Sequence, residues 1–350
     1  MKDISRSRDA TVDVLRGLAI VTMIAANLAG PVLVEPHPTW IRLYGSFAAP
    51  IFVLLSGMMV GLTAAASDRR PTYYLARGAS LLTVAALVDI GVWQIFPFTT
   101  VDVLYLIGVC VPMCALLLRL SEAVRWTIVA LVFVATPLLQ SSLGYTPYPT
   151  EIFLTGAPTI VVSGQTTILN HWLVDGFFPL FPWAGFALLG ACLASRRWRE
   201  GVTVRIGRGW VVALSVALFV AGALIWSSRP GVTLTRAGYS ELFYPPTVGY
   251  VITALGVIGV LFRLVDRRAS ARGFDVVCAL GESALAMYVL HLLVIRYAIK
   301  TLWPARIELP GFVVLYVGLS ALLVVTAFGL RALKRHWRPR VLLLNVVLGR

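Results

Sequence analysis

Four histidines stand in this chain of 350 residues: His37 in EPHPTW, His171 in NHWLVDG, His291 in ALAMYVLHLLVIR and His336 in KRHW. An imidazole titrates nearer neutrality than any other side chain, which suits it to general-base work or proton relay. No two of the four have metal-ligand spacing and there is no H-E-x-x-H, so no metal site is expected. A serine nucleophile elbow and a glycine-rich phosphate loop are also missing from the sequence. Upstream of His37, an apolar run carries Asp13, Arg16 and Asn27. At about 100° per residue these fall within roughly 60° of one another, and about 16 Å of helix axis separates Arg16 from Asn27. A charge at hydrocarbon depth costs a few kcal/mol or more, so such a stripe should face a bundle interior or a wet cavity. The plain alternative is that Asp13 and Arg16 pair three residues apart and anchor the helix at the interface.

The elements that must position these groups are membrane helices. With 59% hydrophobic residues, 13% charged and a mean hydropathy of +0.85, the chain reads as an all-α polytopic membrane protein. Its charged opening segment, residues 1–11, is not followed by a cleavable signal pattern, so the first apolar run is expected to be retained. Ten segments approach the ~20 residues that span a bilayer. Their cores are 12–34, 44–65, 73–95, 101–119, 126–142, 179–195, 209–227, 247–265, 278–299 and 311–333. Pro137 interrupts the fifth, and Pro179 and Pro182 open the sixth. The four cysteines, Cys110, Cys114, Cys192 and Cys278, lie in or beside these runs and read as packing residues.

Charge sets the orientation. With a cytoplasmic N-terminus, 23 of the 30 basic residues fall in cytoplasmic segments and five in outer loops: Arg42, Arg229, Arg236, Lys300 and Arg306. That positive-inside bias predicts ten helices with both termini cytoplasmic, in the cell membrane. It also accounts for the formal charge of +14 without a nucleic-acid partner; the basic face meets lipid headgroups. The chain reads as a single membrane domain with a long extracytoplasmic loop over 143–178 and a basic tail over 334–350. On this topology His37, His171 and His291 lie on or towards the outer half, and His336 is solvated in the tail. Each of the three also has an ordinary reading, as an interfacial residue beside Trp40 or Trp172 or as a satisfied buried histidine. Glu282 and Arg296 share a face of the ninth helix and are expected to pair with other helices; the helix glycines read as close-packing positions.

The opening stretch sets out Arg8, Asp13, Arg16, Gly17, Met23, Asn27, His37, Trp40, Pro50, Phe52 and Gly57 in a recognisable order, with weaker pieces at 179–190, 244–256 and 280–294. On these residues the chain resembles the heparan-α-glucosaminide N-acetyltransferase-like family of transmembrane acyltransferases. The resemblance implies transfer of an acetyl group from cytosolic acetyl-CoA to an amino sugar across the membrane, with the catalytic role on His37 and Asn27 near the reacting thioester. It also implies a homodimer. One departure concerns the acidic residue that the family's lysosomal member has shortly before Pro-x-Phe, where this chain has Gly45, Ser46 and Phe47.

On this reading the phosphates of acetyl-CoA meet arginines, with Arg16, Arg77, Arg197, Arg267 and Arg272 as candidates for bidentate contacts. Asn27 would donate to the thioester oxygen, and His37 would take a proton from an amine or hydroxyl of the acceptor; an acetyl-histidine intermediate stays open. Trp40, His171, Asp175, Glu241 and His291 are candidates to line the site of an extracytoplasmic sugar or glycan, and Glu35, Asp175 or Glu241 could supply the acid beside His37. The alternative is a transporter or flippase of a polar or lipid-linked solute, which would also place Asp13, Arg16 and histidines along an interior path.

Overall fold

The computed structural model describes residues 9–67, 69–145, 152–155, 167–199, 202–204, 206, 209–229, 242–243, 246–268, 272–337 and 341–349. Each of the ten apolar segments is helical within them. Among the described residues eight helices are long and apolar enough to cross a membrane, and a pair bent by 52° makes up to nine if it is counted as one span. The fourth segment is the shorter helix Val103–Leu117, whose 15 residues reach only about 22 Å. The protein is an all-α polytopic membrane protein, apart from a ladder of two residues per strand, β1 (Trp198–Arg199) and β2 (Val202–Thr203).

The chain forms two compact units. One holds α1 (Ala10–Val32), α2 (Thr39–Ser46) and the start of α3 (Ala48–Ala66). It continues with α9 (Gly209–Ser228), α10 (Val248–Asp266), α11 (Asp275–Glu282), α12 (Ala284–Leu293), α13 (Lys300–Leu302), α14 (Leu309–His336) and α15 (Leu342–Val347). The other holds the rest of α3 with α4 (Pro71–Val88), α5 (Val103–Leu117), α6 (Glu122–Leu143), α7 (Ile168–Asn170) and α8 (Leu180–Arg197).

The first unit is built around α1. The Asp9 carboxylate accepts from the Thr11 and Val12 amides and starts the helix. Helices α2, α10, α11, α12 and α14 all pack against it. In its most apolar stretch 72% of residues are buried, against 17% for α9 and for α14, so α1 is the centre of the unit and those two face outward. Glycine permits the closest approach. A Cβ at Gly17 would strike the carbonyl of Val277, and one at Gly281 the carbonyl of Asp13, so α1 and α11 touch backbone to backbone. Helices α9 and α10 pair the same way, with Gly222 against Thr253, Gly249 against Trp226 and Gly256 against Phe219.

The ninth apolar segment is not one helix. It breaks at Ser283, where Lys334 donates to the Glu282 carbonyl (2.9 Å) and the Ser283 hydroxyl (2.6 Å). Arg331 holds the Glu282 carboxylate with two bonds of 2.8 and 3.0 Å, so Glu282 does pair with another helix. Lys334 thus satisfies the carbonyl freed by the break, and Arg331 the side chain beside it.

In the second unit, Gly57 and Gly61 of α3 meet Ala187 and Ala194 of α8, and Gly190 of α8 meets Leu54. Helix α6 runs unbroken through Pro137. The sixth apolar segment bends between Asp175 and Leu180, where Pro179 and Pro182 flank a non-helical Phe181.

The α1–α11 contact leaves no room for a side chain. Gly17→Val should lower stability by about 1–3 kcal/mol through overpacking, read as a lower unfolding midpoint in detergent, whereas the same change at the open position Gly318 should leave the midpoint unmoved.

Candidate active site

His37 lies between α1 and α2 and is buried, at 4% exposure. Its Nε2 is 3.2 Å from the Leu33 carbonyl. A carbonyl only accepts, so Nε2 carries the proton and Nδ1 keeps the lone pair. Nδ1 is buried and has no hydrogen-bond partner among the described residues. A neutral imidazole held in one tautomer, with its basic nitrogen free, is equipped to accept a proton. Burial is the main force holding its pKa below 6.5; Arg306 and Arg42 push the same way, while the Leu33 carbonyl and Glu35 pull it up.

The loop that carries His37 is clamped from the chain's far end. Val34 and Ile307 pair backbone to backbone, and the Ile307 amide donates to the Val32 carbonyl. Lys300 donates to the Pro31 carbonyl at 3.1 Å and Arg306 to the Leu33 carbonyl at 3.1 Å. Arg306 also pairs with Glu35 at 2.5 Å. These cations satisfy the open carbonyls at the end of α1, where the helix dipole favours positive charge. Leu33 therefore accepts from both His37 and Arg306, which fixes the ring. Glu35 is paired with Arg306, and the group that orients His37 is the Leu33 carbonyl.

Gly45 and Ser46 are unsuited to supply a carboxylate. A Cβ at Gly45 would press on the side chain of Ala26. Ser46 is fully buried, donates to the Arg42 carbonyl, accepts from the Leu242 amide, and takes the Tyr250 hydroxyl on its own carbonyl at 2.7 Å. Arg42 itself, expected in an outer loop, sits in α2 and is 4% exposed.

Asn27 faces α12. Its Nδ2 lies 2.8 Å from Nε2 of His291, whose Nδ1 bonds the Met287 carbonyl at 3.1 Å. The Met287 carbonyl requires a proton on Nδ1, so Nε2 accepts, and only the amide NH2 of Asn27 can face it. This fixes the orientation of Asn27, with one N–H on His291 and the second N–H remaining. His291 is fully buried with both nitrogens engaged, so it orients Asn27.

The other expected residues divide between the units. Asp13 and Arg16 form the pair three residues apart, at 3.8 Å, as the plain alternative held. Thr11 donates to Asp266 at 2.9 Å, which brings the start of α1 to the end of α10, beside the exposed Arg267. The backbone of Arg272 is described but its side chain is not, and Glu241 lies outside the described residues. Trp40 is 58% exposed on α2.

In the second unit, Arg77 is half-buried, whereas Arg197 is 2% exposed with its guanidinium 6.0 Å from the Trp198 ring centre. His171 donates through Nδ1 to the Thr99 carbonyl at 2.7 Å, and its buried Nε2 has no partner among the described residues. Asp175, one turn on, is fully buried. The loop bonded to His171 is strained: Gln94, Phe98 and Val101 have φ of 59°, 67° and 58°.

The residues that sequence reasoning missed are Lys300, Arg306 and the buried Arg42. A signal was present, for all three are among the five basic residues that the charge reading assigns to outer loops.

A polytopic helical membrane protein with a tautomer-fixed histidine at one end of its central helix is the class defined so far. The model of heparan-alpha-glucosaminide N-acetyltransferase, catalytic, matches residues 8–222, well over half of the chain. The chain belongs to that family, and the membership makes it a membrane acetyltransferase. No curated protein matches it. The match contains Asn27, His37, Trp40, His171 and Asp175, and ends in α9, before His291.

Removing Arg306 takes a cation from beside His37 and frees Glu35, and both changes favour the imidazolium. Arg306→Ala should therefore raise the His37 midpoint, so that the ring protonates at higher pH than in the wild type. Histidine-selective isotope labelling and NMR titration would show it, since four histidines can be assigned by single substitution; an unmoved midpoint would remove Arg306 from the account.

Proposed function

We propose that the protein transfers the acetyl group of cytosolic acetyl-CoA to an amine or hydroxyl of a sugar or glycan on the extracytoplasmic side of the cell membrane. The observation that carries this reading is His37: buried, neutral, fixed by Leu33 and Arg306, with Nδ1 free. Family membership supports acetyl transfer, and the family's name supports an amino sugar as acceptor.

The chemistry follows from the two side chains. Nδ1 of His37 takes the proton of the acceptor nitrogen or oxygen as that atom attacks the thioester carbon. The second amide N–H of Asn27 donates to the carbonyl oxygen as negative charge develops there, in a water-poor setting where such a bond is worth more than in water. The new C–N or C–O bond forms, the C–S bond breaks, and the proton on His37 passes to the departing thiolate. His291 keeps the Asn27 amide turned the right way and so acts as a positioning residue. For the donor, Arg267, in the same unit as His37, is an expected arginine whose side chain is exposed, whereas Arg16 is paired with Asp13. On the acceptor side, Trp40 offers an exposed ring for a sugar face.

Replacing His37 with Ala should cost about 10²–10⁴-fold in turnover while acetyl-CoA binding by calorimetry is kept. Since the base must be neutral, kcat/KM should fall with acid, with a midpoint below 6.5. His291→Ala should lower kcat with little change in KM, because it frees Asn27 without touching the substrate. Full turnover in the His37 variant would overturn the assignment.

A further inference from the structure

Helices α4 and α5 touch where Gly78 meets Gly108, and a Cβ at Gly78 would also press on the ring of Pro112. One to two turns further towards the start of α4 and the end of α5, a groove of about 240 Å³ opens between them. Tyr74, Leu75, Pro112 and Leu116 line its walls, and Arg69 and Arg119 stand at its rim. No acidic side chain lines it among the described residues.

The two arginines are held differently, and both leave donors free. Arg69 lies over the Tyr73 ring at 5.2 Å and gives its Nε–H to the Ser67 hydroxyl, which leaves both terminal nitrogens unused. Arg119 uses only its backbone, bonded to the Leu116 carbonyl. Two exposed guanidiniums above an apolar slot match an anionic oxygen cluster attached to a hydrocarbon tail. The slot is open on the side the tail would take: Leu75 is 57% and Leu116 60% exposed. Both lie within about one turn of the helix ends, where a spanning chain meets the headgroup layer.

We propose that this groove binds the phosphodiester headgroup of an anionic glycerophospholipid, with an acyl chain lying over Leu75 and Leu116. A zwitterionic headgroup fits less well, since it would bring a second cation against the arginines. The nucleotide end of coenzyme A carries phosphate too, but the groove is smaller than the roughly 300–1,000 Å³ of sites that enclose such ligands. The lipid site is independent of the acetyl-transfer reading.

The test uses the full-length protein in nanodiscs of equal parts phosphatidylglycerol and phosphatidylcholine with the same acyl chains, followed by native mass spectrometry of retained lipid. Wild type should keep phosphatidylglycerol in preference. Arg69→Gln and Arg119→Gln should each cut that preference about fivefold, as expected for one cation at the headgroup layer. Arg70→Gln, an exposed neighbour outside the groove lining, should leave it unchanged. Equal loss in the Arg70 variant would mean a diffuse charge effect and would overturn the site. So would an unchanged lipid preference in the groove variants. Acetyl-CoA affinity measured in parallel separates the sources: it should be unaltered in both groove variants. Its loss there, with lipid preference kept, would assign the groove to the donor instead.

Discussion

A helix buried on all sides inside a membrane protein has no water to satisfy its polar groups, and α1 is such a helix. Each polar group it carries must find a partner on the chain, at a cost of several kcal/mol if it does not. Asp13 finds Arg16, Thr11 finds Asp266, and Asn27 finds His291. The carbonyls at its far end find Lys300, Ile307, Arg306 and His37. Satisfying α1 therefore recruits α10, α12 and the segment after α13. The same bonds that settle its polar groups fix the tautomer of His37 and the rotation of Asn27. Stability and site geometry rest on one set of contacts.

Glycine makes that arrangement possible. Gly17 and Gly281 bring α11 onto the backbone of α1, and the break at Ser283 lets the chain re-aim as α12, which carries His291 to Asn27. The break needs its own compensation, supplied by Lys334.

Much of the architecture was legible because hydropathy and length are local properties. All ten apolar segments became helical, and the glycines at 17, 57, 61 and 190 became contact points, whereas Gly318 and Gly329 on α14 stand open and do not bear out the close-packing reading. The family resemblance singled out Asn27 and His37, and the structure adds their hydrogen-bond partners. What sequence did not disclose were the partners. Nothing local links Asn27 to a residue 264 positions away, or Leu33 to Arg306. The break within the ninth segment was hidden because Glu282 and Ser283 sit in an otherwise continuous apolar run. His291 is a candidate substrate contact by sequence, and in the structure its two nitrogens meet Asn27 and the Met287 carbonyl. The lack of an acidic residue at 45–47 looked like a missing partner for His37, yet Leu33 fills that role and Ser46 is occupied in holding α2 to α10.

The central claim is that acetyl crosses from a donor on one side to an acceptor on the other. Purified protein would be reconstituted into sealed liposomes loaded with glucosamine, with radiolabelled acetyl-CoA added only outside. The account predicts labelled N-acetylglucosamine trapped inside and an equal quantity of free coenzyme A outside, both dependent on His37. Glucosamine leaving the liposomes unmodified, with no thioester lost, would contradict it and mark the protein as a carrier.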